Sequence, residues 1–270
     1  MIRTWKITNT AIEEMQFMDI SSLDAITRQL PEGYYSTFRT YDRCTRVLGL
    51  STHLRRLYEP VSTAEVSAAS LRRELLTFLV PYRPEEARVR VIMTKQGQVY
   101  VSMEELRPLP LEVYEQGVRV ETTELQRYNP RLKSTAFIDA SHDERKHIAQ
   151  AGIFEALLVR NGRILEGMTS NIFYVKDGIL HTAQRDILLG VTRKTVLQLA
   201  RSRGLEVKYQ PLKQDQISAA SEAFMTSSSR GIVPIIQIDE VRIGQGGPGP
   251  ITKQLSEAYE AYVIAKAEKI

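Results

Sequence analysis

The apolar positions of this chain change period several times, and each change marks an element. Residues 34–41 are rich in aromatic and β-branched side chains, and 46–48 follow a turn at Asp42-Arg43-Cys44, which predicts a hairpin. Helical spacing comes next, over 53–57 and again over 66–79. Residues 87–93 alternate, turn at Lys95-Gln96-Gly97-Gln98 and return through 99–101 as a second hairpin. Two prolines in Leu106-Arg107-Pro108-Leu109-Pro110-Leu111 end this α+β unit and mark a linker. Beyond it, 117–120 reads as a strand and 143–151 as a helix stopped by Gly152. Asn161-Gly162 turns strand 155–159 back through 163–165, and a meander continues through 171–175, the turn Lys176-Asp177-Gly178, and 179–182. A helix over 192–203 is closed by Gly204, strand 222–226 runs into Ser227-Ser228-Ser229, and 251–269 reads as a last helix. The expectation is a two-domain α+β / α/β chain: a small α+β domain over 1–106, a linker over 107–115 and a larger mixed-sheet domain over 116–270.

Composition narrows the class. Of 270 residues, 43% are hydrophobic and 25% charged, enough for a packed core and against disorder. The net charge is +4, with 36 basic and 32 acidic residues interspersed; pairs such as Arg55-Arg56 and Arg72-Arg73 read as solvated helix faces, not a nucleic-acid footprint. Cys44 is the single cysteine, so no internal disulfide is possible, which fits a reducing cytoplasm. It sits at a hairpin tip without a histidine base beside it, a poor nucleophile. The N-terminus has no apolar core of a signal peptide and no run reaches membrane-spanning length. The four histidines suggest no metal site: His142 and His147 are five apart, off helical register for a shared ligand face.

Three places carry candidate chemistry. Lys133 stands alone in Pro130-Arg131-Leu132-Lys133-Ser134-Thr135; by itself it reads as one more surface lysine. Glu166 lies at the inner end of an apolar strand in Ile164-Leu165-Glu166-Gly167-Met168-Thr169-Ser170-Asn171-Ile172-Phe173, where an acid could simply cap backbone. Leu188-Leu189-Gly190-Val191-Thr192-Arg193 enters a helix through glycine; Val191 and Thr192 would offer N–H groups and a hydroxyl to an anion, or Thr192 would merely cap. Amine, buried acid and phosphate cradle together suit pyridoxal 5'-phosphate, which needs an imine-forming lysine, an anion at its pyridine nitrogen and an anchor for its phosphate. One decoy stands apart. Gly244-Gln245-Gly246-Gly247-Pro248-Gly249 fits G-x-G-x-x-G, yet no parallel strand with an acid follows it, and a plain connector is the simpler reading.

The order of these motifs resembles the fold-type IV pyridoxal-phosphate enzymes, the class IV aminotransferase family of branched-chain and D-amino-acid aminotransferases and aminodeoxychorismate lyase. The likeness runs from about Gly33 onward and is strongest between Lys133 and Thr192: lysine, helix, glycine, Glu155-Ala156-Leu157-Leu158, Glu166-Gly167, then Leu189-Gly190-Val191-Thr192-Arg193. It implies a D-amino-acid-aminotransferase-like fold with the active site between two domains, completed across a homodimer. It also implies Lys133 as the Schiff-base and proton-shuttling residue, Glu166 at the pyridine nitrogen, and Arg56, Val191, Thr192 and Ser228 on the phosphate. The implied reaction moves an amino group between an amino acid and a 2-oxo acid. The alternatives are 4-amino-4-deoxychorismate lyase, releasing pyruvate and 4-aminobenzoate, and a pyridoxal-phosphate protein without turnover.

Two departures from the family pattern concern specificity. Ala136-Phe137-Ile138 stand where many relatives carry an Asn-Tyr pair, which leaves the cofactor's phenolic oxygen to Tyr35 or Tyr128. Ser36 stands where branched-chain enzymes have glutamate, and Ser36-Thr37-Phe38-Arg39 looks closer to the lyase. Arg39 is a candidate for the substrate carboxylate, with a structural salt bridge as its other reading, and Tyr35 lies on the same substrate side.

Overall fold

A computed structural model describes residues 2–270. The chain forms two compact units, and the first is discontinuous: it takes the described residues up to Arg107, then Leu132–Ala140, then Val263–Ile270. The second takes Pro108–Arg131 and Ser141–Tyr262. The sequence expectation assigned the Lys133 segment and the last residues to the larger domain; here both pack with the smaller one. The expected linker is partly helical, over Leu111–Gln116.

The first unit is built on a five-stranded antiparallel sheet in the order Ile12–Met15, Arg3–Ile7, Val99–Glu105, Ala87–Thr94, Gly33–Arg39. Helix Leu50–Tyr58 buries Leu50, His53, Leu54 and Leu57, an i, i+3, i+4, i+7 stripe in which the histidine takes an apolar position. Helix Ala68–Leu79 adds Leu71, Leu75, Phe78 and Leu79 to the same core, against Val89, Val91, Val101 and Met103. Each fully buried leucine there contributes about 1.5–3 kcal/mol. The other face of the sheet carries a smaller cluster of Tyr35, Ile92, Tyr100 and Ile138.

Strand Gly33–Arg39 is an edge, and the chain covers it with residues 133–135. Tyr35 N–H donates to Lys133 O at 2.9 Å and Thr135 N–H to Gly33 O at 2.9 Å. Gly33 is required by close approach: a Cβ there would come 2.2 Å from Met93 O. The expected hairpin of 34–41 with 46–48 reduces to one bridge, Tyr41 with Arg46. Asp42, Arg43 and Cys44 all have positive φ, so the turn closes too tightly for a ladder. Arg46–Val47 pairs with Glu268–Lys269, and the last helix therefore stops at Lys266, short of the expected 269.

The second unit holds a ten-stranded mixed sheet. Starting at Asn171–Lys176, pairing runs through Glu222–Ser227, Gly231–Ile238, Val118–Thr123, Glu155–Arg160 and Arg163–Gly167, and the last of these returns to the first. The ring closes on one pair, Glu166 with Asn171. The turns Asn161-Gly162 and Asp177-Gly178 have φ of 52°, 68°, 53° and 74°, the left-handed geometry that two-residue hairpins need. Helix Val191–Ser202 packs Thr192, Thr195, Val196, Leu199 and Ala200 inward. Helix Pro250–Lys266 is capped by buried Glu222, which accepts the N–H groups of Ile251 and Thr252 at 3.1 and 2.7 Å. In the G-x-G-x-x-G loop, a Cβ on Gly244 would meet Ser221 O, one on Gly246 the Arg242 side chain and one on Gly249 the Glu222 side chain, so these glycines serve the loop's own packing.

Candidate active site

In the first unit, Lys133, Arg90 and Arg56 lie among aromatic, hydroxyl and imidazole groups. Lys133 is half-buried, and its Nζ lies 4.6 Å from the ring centroid of Tyr35. Arg90 also lies over that buried ring, 5.0 Å away, itself held by Asp24 at 2.6 Å and by Thr27 and Thr37. Arg56 Nη2 donates to Ser36 Oγ at 2.9 Å, and Ser36 Oγ sits 2.8 Å from His53 Nδ1. Arg56 Nε is out of solvent without a hydrogen bond, and among the described residues no carboxylate pairs with this guanidinium. Burial lowers Arg56 to about 10, still cationic at neutral pH. Burial, then Arg56 and Lys133, pushes His53 well below its ordinary value, so this imidazole is neutral.

Arg39 makes no salt bridge among the described residues; its guanidinium stacks over Tyr41 at 4.8 Å. At about 3.3 Å per residue it stands some 13 Å along the strand from Tyr35. Phe137 and Ile138, in the helix Ala136–Ala140 just after Lys133, are buried, and Ile138 packs with Tyr35.

In the second unit, the charge is negative and fully met. Glu166, 2% exposed, accepts Arg127 Nε at 2.9 Å on one oxygen. Its other oxygen accepts Leu188 N–H at 2.9 Å and Asn171 Nδ2 at 3.4 Å. An arginine and two amide donors keep this carboxylate ionised. Asn171 also donates to Leu188 O at 2.8 Å, so the acid and its cross-strand partner together fix the approach to Gly190. A Cβ on Gly190 would come 2.3 Å from Asn171 Oδ1, which explains glycine ahead of Val191. Thr192 Oγ1 is buried without a partner at the first turn of this helix, and no side chain caps it. Thr226, in register with Asn171 and on the same sheet face, also has an unpartnered buried hydroxyl.

Ser228 lies in the turn after strand Glu222–Ser227, half-buried. Arg230 pins that turn, donating to Ser227 Oγ at 3.2 Å, to buried Glu155 at 2.7 Å and to Thr169 Oγ1 at 2.6 Å. Burial alone would raise Glu155, but Arg230 and the Thr169 donors outweigh it and hold its carboxyl below the usual range. Tyr128 is 87% exposed and offers its phenol to solvent.

Residues 33–238 match the family described as amino-transferase class IV. The chain belongs to that family. A branched-chain-amino-acid aminotransferase of Pseudomonas aeruginosa is 27% identical over 262 residues, covering 87% of this chain and 85% of its own. A D-alanine aminotransferase of Bacillus licheniformis is 35% identical over 122 residues, 44% of this chain and 43% of its own. A fold IV-transaminase structure from Curtobacterium pusillum superposes with a TM-score of 0.77 at 21% identity, covering 98% of this chain and 99% of that one. The fold is the fold-type IV aminotransferase fold expected from the motifs, and the protein is a transaminase-class enzyme with pyridoxal phosphate as its cofactor.

The class IV residues fit that cofactor on their own chemistry. A half-buried guanidinium with an unpartnered Nε and a buried, unpartnered hydroxyl at a helix N-terminus suit an anion, and a buried acid held by an arginine suits a pyridinium. Glu166, Val191 and Thr192 are brought together within the second unit through Leu188 and Asn171; Lys133, Arg56 and Tyr35 gather within the first. Sequence reading missed Arg127, Asn171, Thr226 and Arg230. Only Asn171 carried a signal, as the one amide in the Ser170-Asn171-Ile172-Phe173 strand start. Among the described residues no helix is long and apolar enough to cross a membrane.

Proposed function

We propose that this enzyme moves an amino group between an amino acid and a 2-oxo acid, with Lys133 as its catalytic amine. When bound, pyridoxal phosphate supplies the electron sink that lets a substrate α-proton leave. Lys133 Nζ would accept that proton and hold it for redelivery, the role of general acid–base. Glu166 keeps a proton on the ring nitrogen, and this assignment rests on the observation that carries the reading: a buried carboxylate whose ionised form is secured by Arg127, Leu188 N–H and Asn171. Arg56, the Val191 and Thr192 N–H groups, the Thr192 hydroxyl and Ser228 anchor the phosphate, which fixes the ring relative to the lysine. Tyr35, beside Lys133 Nζ, takes the substrate side. We do not retain Arg39 there, because it is engaged with Tyr41 far along the strand. We further infer a homodimer working in the cytoplasm on small-molecule amino and 2-oxo acids, with no nucleic-acid or membrane partner. The family resemblance supports the dimer, and the single, buried Cys44 suits a reducing compartment.

The test is the visible spectrum of wild type beside Lys133→Ala, before and after borohydride, followed by half-reactions with L- and D-amino acids. Wild type should be yellow, fixed by borohydride at Lys133, and converted to the amine form by at least one donor. Lys133→Ala should lose about a thousand-fold or more in that conversion. A variant with wild-type turnover, or a wild type that no donor converts, would sink the reading. Pyruvate release from aminodeoxychorismate without an acceptor would replace the transaminase by the lyase.

A further inference from the structure

Arg56 is the one part of the proposed phosphate anchor whose support is itself a hydrogen-bond chain. Guanidinium nitrogens only donate, so Ser36 Oγ must accept from Arg56 Nη2 at 2.9 Å. Ser36 Oγ lies 2.8 Å from His53 Nδ1, where either atom can donate according to the imidazole tautomer, and the serine's proton points at Nδ1 when that nitrogen is the acceptor. Arg56 Nη2 also faces that nitrogen at 3.5 Å, and it too can only donate. Two donors on Nδ1 leave the imidazole proton on Nε2, where it is buried without a partner. His53 stays neutral and out of solvent, stacked at 5.1 Å against Phe38 in a core stripe of its helix. The chain thus places one hydroxyl and one neutral ring against a half-buried cation whose Nε is out of solvent, and, among the described residues, no carboxylate. An acid at either position would satisfy Arg56 within the protein. A hydroxyl and a neutral imidazole orient the fork while leaving its charge to be met from outside.

We propose that Ser36 and His53 are positioning residues for the cofactor's phosphate: they hold Arg56 aimed and uncompensated, with His53 locked as the Nε2–H tautomer. This rests on reading Arg56 as a phosphate ligand. It differs from a packing role in one measurable respect. A packing residue affects every ligand alike, whereas these two should matter only for a ligand that carries a phosphate.

Calorimetric titration of the apoenzyme with pyridoxamine 5'-phosphate and with pyridoxamine separates the two. Neither probe forms an imine with Lys133, so the readout is binding and not turnover. Ser36→Ala and His53→Leu should each weaken the phosphorylated ligand about 10-fold, the effect of losing one hydrogen bond to a charged group. The same variants should leave pyridoxamine within about 2-fold. Ser36→Thr, which keeps the hydroxyl, and His53→Asn, whose amide oxygen stands in for Nδ1, should restore most of the loss. In 15N NMR of the wild-type apoenzyme His53 should be the Nε2–H form. Equal weakening of both ligands, or an Nδ1–H ring, would overturn the proposal. Arg56→Met decides which layer has failed. If it lowers affinity only for the phosphorylated ligand while Ser36→Ala and His53→Leu do nothing, the positioning role falls and Arg56 stands. If it leaves the two ligands unchanged relative to each other, the phosphate reading of Arg56 falls and takes the proposal with it.

Discussion

Each unit carries one charged side chain whose surroundings contrast with the other's. In the second, Glu166 is met on both oxygens by Arg127, Leu188 N–H and Asn171. In the first, Arg56 has a serine, a neutral histidine and an unsatisfied Nε. The Glu166 arrangement is complete in the protein alone. The Arg56 arrangement leaves room for an anion. On the proposed reading, the group that would keep one ionisation state through turnover is locked by its own chain, whereas the group that would receive a ligand is oriented without a carboxylate partner.

That contrast can be broken hardest at the locked end. Glu166→Ala leaves Arg127 without its carboxylate and should cost the apoprotein about 3–5 kcal/mol in urea unfolding. The double change Glu166→Leu with Arg127→Met should recover much of this stability while remaining inactive, because the cost lies in stranding one partner. A single variant within about 0.5 kcal/mol of wild type would show that the lock is not structural.

A smaller effect sharpens the open end. Burial, aided by Arg56 and Lys133, holds folded His53 well below 6.5. The unfolded chain therefore takes up a proton that the folded chain refuses. The stability this histidine contributes is complete above pH of about 6.5 and falls as the pH drops below it, by up to about 1.4 kcal/mol per pH unit. His181, also lowered by burial and by Lys208 and Lys176, adds to the same window. The difference between wild type and His53→Asn, measured between pH about 6.5 and 5.5 before the carboxylates titrate, isolates the His53 share. Parallel curves for the two proteins would refute a neutral, buried His53.

The smallest effect should come from Thr192→Val. Its hydroxyl has no protein partner, so the apoprotein should keep its stability or gain about 1 kcal/mol in thermal unfolding, while pyridoxamine 5'-phosphate binds more weakly. An apoprotein destabilised by as much as that gain would mean that the oxygen is already satisfied.

What could be read from the sequence follows from how local the cause is. Asn161-Gly162 and Asp177-Gly178 announced their turns because positive φ is a property of two residues. Gly190-Val191-Thr192 announced a helix start, and Glu166 stood out as an acid in an apolar strand. Arg127 could not be found this way: nothing near it marks a partner 39 positions on, and only closure of the ring at Glu166 and Asn171 gives it one. Arg46–Val47 misled for the same reason, since its partner lies at Glu268–Lys269 and not across the turn. The Ser36–His53–Arg56 chain was half visible. His53 and Arg56 share a helix face, but the strand that brings Ser36 to them is a tertiary fact.

The discontinuity of the first unit has a consequence for biosynthesis. When the ribosome has delivered residues 2–107, strand Gly33–Arg39 still lacks residues 133–135 along its edge, and Arg46–Val47 still lacks Glu268–Lys269. An open edge rich in tyrosine and phenylalanine is a template for pairing with another chain. The unit whose residues come first is thus finished last. The nascent protein carries that edge open until residues 133–135 emerge, about half-way along its 270 residues, and the crowding of ribosomes on one message sets how often the edge meets a copy of itself.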